Sequence, residues 1–91
     1  MKSLTLSPTF QKKIQRISKR NATLFTKIIR TLEFFQKNPK HPSLRLHKLQ
    51  GNLRCVWSIS VTSSFRLIFI EDASYYFFDC GEHKEIYKDP S

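Results

Sequence analysis

The sequence predicts one α+β domain over residues 1–91, in which an N-terminal strand and a helical hairpin pack on a twisted antiparallel sheet. Three observations lead there. Apolar residues recur at helical spacing from Phe10 to Phe35. The period switches to two after Leu44. The later apolar runs are separated by short turns, which favours an antiparallel meander. Two helices followed by a meander make a sandwich, with the helices covering one face of the sheet.

Leu4 and Leu6 flank Thr5 as a short alternating strand. Ser7-Pro8 reads as a helix N-cap followed by proline at the first helical position. Phe10, Ile14 and Ile17 form the apolar stripe of that helix, with Lys12, Lys13, Arg16, Lys19 and Arg20 mostly off it. Asn21 can end this helix or cap the next. Leu24, Ile28, Leu32 and Phe35 form a second stripe, and Asn38-Pro39 stops it. Leu44, Leu46 and Leu49 then suggest a strand ending at Gly51-Asn52. Cys55 to Val61 alternates cleanly, with Val56, Ser58 and Ser60 as its smaller face. Phe65 to Ile70 and Tyr75 to Cys80 complete the sheet, after turns at Thr62-Ser63-Ser64 and Glu71-Asp72-Ala73.

Composition narrows the function classes. Eight Phe, three Tyr and one Trp within a 40% hydrophobic chain are too apolar for a disordered tail. No apolar run approaches the roughly 20 residues of a membrane helix, so no membrane partner is expected. The N-terminus lacks a signal-like apolar stretch, which leads us to expect a cytoplasmic protein. Only two glycines are present, so there is no glycine-rich phosphate loop. The three histidines are scattered, and neither a metal nor a cofactor is expected. Cys55 and Cys80 read as buried free thiols.

The net charge of +9 is uneven: residues 1–48 hold twelve Lys or Arg against Glu33 alone, and residues 49–91 hold four against six acids. Such a field draws polyanions, or an acidic protein, towards the first half of the chain.

Four side chains stand out. Arg66 interrupts a hydrophobic strand with a permanent charge. It needs a phosphate, an exposed face or a carboxylate partner, for which Glu71, Asp79 and Glu85 are the candidates. His83 and Tyr87 lie four residues apart beyond the last strand, and His47 sits beside Lys48. Imidazole exchanges protons near neutral pH, and phenol donates, accepts or stacks. Taken singly, each is more often ordinary structure. Arg66, His83 and Tyr87 together suit RNA cleavage without a metal.

Three segments in order also resemble a known family. His41-Pro42-Ser43-Leu44 with Leu46-His47-Lys48-Leu49-Gln50-Gly51, the pair Trp57–Val61 and Phe65–Phe69, and the ending Asp79–Tyr87 resemble RelE/YafQ-type toxins of bacterial type II toxin–antitoxin systems. The resemblance implies a RelE-like fold, a metal-independent mRNA endoribonuclease, and mRNA bound on the ribosome or free. It also implies a cognate acidic antitoxin that wraps the toxin. Carried over, Arg66 matches a phosphate-contacting arginine, His83 and His47 match histidines of YafQ-like members, and Tyr87 matches the C-terminal aromatic. Arg45, Lys48 and Arg54 are then expected to hold the RNA backbone.

The chain also departs from the family. Ser58 and Ser60 stand where RelE places catalytic lysines, and Thr62-Ser63-Ser64 lacks the acid and histidine of the YafQ site. The alternatives are a catalytically weakened RelE homologue, a ParE-like toxin that inhibits DNA gyrase without cutting, and a plain basic nucleic-acid-binding module.

Overall fold

The computed structural model describes residues 2–49 and 55–82. Strand β1 (Leu4–Leu6) leads directly into helix α1 (Pro8–Arg20). Ser7 caps it: its buried Oγ accepts from the Phe10 N–H at 3.0 Å, and its own N–H donates to the Phe77 carbonyl at 2.9 Å. The start of α1 is thereby tied to the sheet.

Asn21 fills both roles open to it. Its N–H donates to the Ile17 carbonyl, closing α1, and its side-chain oxygen accepts from Leu24 N–H, opening α2 (Ala22–Lys37). One residue therefore turns the hairpin. Asn38 ends α2 by donating to Phe34 O.

The segment from Leu44 departs from the strand expected there. His41 accepts from Ser43 N–H at 3.1 Å and caps a 3-10 turn, Pro42–Leu44. Pro42 lacks an N–H and has its φ fixed, which suits the first position of such a turn. Leu44 is buried in the core from this turn, and β2 is only His47–Lys48. The meander continues as β3 (Val56–Ser60), β4 (Phe65–Glu71) and β5 (Tyr75–Glu82).

The sheet order is β1-β5-β4-β3-β2. Pairings within the meander are antiparallel, as expected, while β1 runs parallel to β5. A parallel neighbour needs a crossover rather than a hairpin, and the helical pair lies within the connection that supplies it.

The helices cover one sheet face. Phe10 and Ile14 of α1, with Ile28, Leu32 and Phe35 of α2, pack on Ile59, Leu67, Phe69, Phe77 and Cys80. Phe35 is the hub, edge-on to Phe69, Tyr75 and Phe77 at centroid distances of 5.1, 4.8 and 5.4 Å. Trp57 packs against this core while half-buried.

The cysteine expectation holds for one residue only. Cys80 is buried, but Cys55 is exposed just ahead of β3; both are free thiols. Strand β4 lies between β3 and β5, keeping the two segments apart. No described helix is long and apolar enough to cross a membrane.

Candidate functional site

Leu67 and Phe69 point into the core, so Arg66, Ile68 and Ile70 face away from the helices. Arg66 lies opposite Ser60 on β3 and Gly81 on β5. It is only 8% exposed. Its Nε donates to Ser58 Oγ at 3.0 Å, and an Nη donates to the Arg45 carbonyl at 2.6 Å. Two of the three carboxylates suggested by the sequence pair elsewhere: Glu71 with Lys2 at 2.7 Å, and Asp79 with Lys13. Glu85 lies outside the described residues.

Arg45 presents that carbonyl by ending the 3-10 turn in the left-handed region, at φ 49° and ψ 52°. The conformation costs a non-glycine residue roughly 1–2 kcal/mol. A charge-assisted hydrogen bond of about 1.5–3 kcal/mol offsets it. The guanidinium therefore latches the segment before β2 onto the sheet. Ser58 is fully buried, and its hydroxyl reaches the His47 carbonyl at 3.5 Å, which extends the latch to β2. The Ser60 hydroxyl donates to Thr62 O at 2.6 Å and closes the β3–β4 turn.

His47 pairs with Ser58, so its side chain shares the helix-free face with Ser58, Ser60 and Arg66. The imidazole is exposed. Arg66 and His47, distant in sequence, thus converge on one region. The side chain of Arg45 is exposed beside it, whereas Lys48, also exposed, lies opposite Trp57 and so belongs to the other face of the sheet. His83, Tyr87 and Arg54 lie outside the described residues. The described part of β5 ends with Gly81 opposite Arg66 and Glu82 opposite Phe65, and the chain continues from there to His83.

Two components of this cluster were not assigned from sequence. The Arg45 backbone carbonyl leaves no side-chain signature, although Arg45 itself was expected to act through its charge. Ser58 was visible only as a replacement for a lysine, yet it holds the guanidinium.

The basic excess divides between two surfaces. Lys12, Arg16, Lys19 and Arg20 are exposed on α1, and Lys27 and Arg30 on α2, in the layer across the sheet from Arg66. A cleft of about 280 Å³ there is lined by Lys13, Arg16 and Arg20 over Ile17, Leu24 and Cys80. Burial pushes the Cys80 thiol up to about 11, with Lys13 pulling it down and Asp79 adding to the rise. Among the described residues, no group of three or more His, Cys, Asp or Glu could hold a metal ion.

No protein-family model and no curated protein matches the chain. Solved structures do. YafQ from E. coli is similar with a TM-score of 0.75 at 18% identity, covering 96% of this chain and 99% of that one. A YoeB/ParE toxin from Agrobacterium tumefaciens is similar with a TM-score of 0.73 at 15% identity, covering 89% and 98%. A YoeB–YefM complex from Staphylococcus aureus is similar with a TM-score of 0.70 at 21% identity, covering 88% and 94%. The chain has the α+β fold of these toxins, over nearly its whole length.

Proposed function

We propose that this chain is the toxin of a type II toxin–antitoxin pair and that it inhibits translation by cutting mRNA without a metal. The observation that carries the reading is the convergence of Arg66 and His47 on the helix-free face of a fold shared with YafQ and YoeB.

RNA supplies its own nucleophile, the 2′-hydroxyl. A base takes its proton as the 2′-oxygen attacks phosphorus, and the bond to the 5′-oxygen breaks. An acid protonates that oxygen, leaving a 2′,3′-cyclic phosphate and a 5′-hydroxyl. In this reading Arg66 stabilises the charged phosphorane, and His83 and His47 share the acid and base roles, each contributing about 10²–10⁴-fold. Tyr87 stacks on a base or orients the phosphate. Arg45, Lys48 and Arg54 hold the backbone without reading sequence. Ser58 fixes the guanidinium, so lysines at positions 58 and 60 are not needed for its support. The partner is a small acidic antitoxin; the S. aureus YoeB relative is itself found in complex with YefM.

One observation favours a second reading. Arg66 is almost fully buried and, among the described residues, bonds to Ser58 and to the Arg45 carbonyl, which is what a structural arginine does. A ParE-like toxin that binds gyrase and cuts nothing would have that property. Expression in bacteria separates the two: new transcript ends soon after induction support mRNA cleavage. Growth arrest with intact transcripts and loss of gyrase supercoiling supports the second reading.

A further inference from the structure

The same sheet face carries a feature that the proposed chemistry does not use. Tyr76 pairs with Ile70, which places its ring on the side of Arg66 rather than the helical side. A bulge follows: Phe69 pairs with Phe77 and Ile68 with Asp79, so Phe78 is the extra residue of β5. The rings of Tyr76 and Phe78 stand nearly parallel, 17° apart with centroids 6.5 Å apart. Both residues are only half-buried. Asp79 pairs with Lys13 of α1, which offsets its charge.

Two parallel, partly solvated rings contribute little to a core. Ile70 lies four residues from Arg66, about 13 Å along the strand, and Phe78 falls between them on the neighbouring strand. A chain passing Arg66 and His47 along this face meets the aromatic pair next. Arg66 and exposed Arg45 give this face two fixed cations, which favours a polyanion. Among polyanions, one with unstacked planar groups uses rings of this kind: aromatic side chains hold single strands by stacking, with little regard to sequence.

We propose that Tyr76 and Phe78 form a stacking subsite for an unpaired base of single-stranded RNA, flanking the Arg66–His47 region. The proposal rests on the RNA reading above, and its test is kept separate from cleavage.

The probe is a fluorescein-labelled 2′-O-methyl oligouridylate, which lacks a free 2′-hydroxyl and cannot be cut by 2′-oxygen attack. Its counterpart has the same backbone with abasic residues. Anisotropy titrations compare the unaltered protein with Tyr76→Leu, Phe78→Leu and Tyr76→Phe, each checked for an unchanged circular dichroism spectrum. Leucine keeps apolar bulk but removes the ring. The leucine variants are expected to bind the oligouridylate about 5-fold to 100-fold more weakly, as loss of one stacked base predicts. Tyr76→Phe is expected to bind as the unaltered protein does. The abasic strand is expected to be bound weakly and equally by all four proteins, and the salt dependence to keep one slope, since no phosphate contact changes.

Oligouridylate affinity within twofold across all four proteins would overturn the proposal. So would equal losses on both strands. A change in sedimentation from dimer to monomer in the leucine variants, with RNA affinity intact, would overturn it in favour of a second copy of the chain on this face. Base-dependent binding through Tyr76 in a protein that cuts no RNA upholds the subsite and removes the nuclease reading alone. Cleavage with ring-independent binding does the reverse.

Discussion

The two faces of the sheet are buried by different means. Facing the helices, Leu67, Phe69, Phe77 and Ile59 are covered by apolar side chains, and dispersion and desolvation hold them. Facing away, Ser58 and Arg66 are also buried, and hydrogen bonds to the Arg45 and His47 backbone carbonyls help to hold them. The first arrangement tolerates exchange among apolar side chains of similar volume. The second depends on individual atoms, and removing one donor strands its acceptors.

The contrast can be tested on stability, beginning with the largest expected effect. Phe35→Ala removes the hub of the aromatic cluster and is expected to cost about 3–5 kcal/mol in urea unfolding. Phe35→Leu should recover most of that. Arg66→Ala is expected to cost about 1.5–3 kcal/mol, the range for charge-assisted hydrogen bonds. Arg66→Lys should recover little, because a single ammonium cannot reproduce the fork that reaches Ser58 and Arg45 together. Recovery by lysine equal to that seen with Phe35→Leu would erase the distinction between the faces. Ser7→Ala removes a cap and is expected to cost about 1 kcal/mol.

The smallest effect is a pH dependence. Cys80 in the folded protein titrates at about 11, against an ordinary 9.0. Its contribution is fully present below pH 9, and is lost as pH rises from 9 towards 11, because the unfolded chain releases the thiol proton first. Cys80→Ala should therefore flatten the fall in stability across that window. In the native protein at pH 8, iodoacetamide should modify exposed Cys55 and spare Cys80 until the chain unfolds.

Much of the helical side was legible because its signals are local. Ser7-Pro8, Asn21 and Asn38 mark the helix boundaries, and the stripes from Phe10 to Phe35 name most of the helical contribution to the core. The parallel pairing of β1 with β5 was not legible, since it joins segments about 70 residues apart that carry no pairing code. The 3-10 turn at Pro42–Leu44 was obscured by the period-two run Leu44, Leu46, Leu49. Arg66 and His47 were singled out as candidates, and their shared face follows from strand register. Part of the environment of Arg66 was not foreseen: among the described residues it bonds to a serine and a backbone carbonyl, and an oxygen presented by a left-handed Arg45 has no trace in composition or spacing.

The central claim is that the buried guanidinium also serves chemistry. Purified protein incubated with 5′-labelled mRNA in EDTA, with and without ribosomes, tests it most directly. The account predicts fragments ending in 2′,3′-cyclic phosphate, produced at least 100-fold more slowly by Arg66→Ala at a temperature where that variant remains folded. Intact mRNA under both conditions, or equal cleavage by the folded variant, would contradict it.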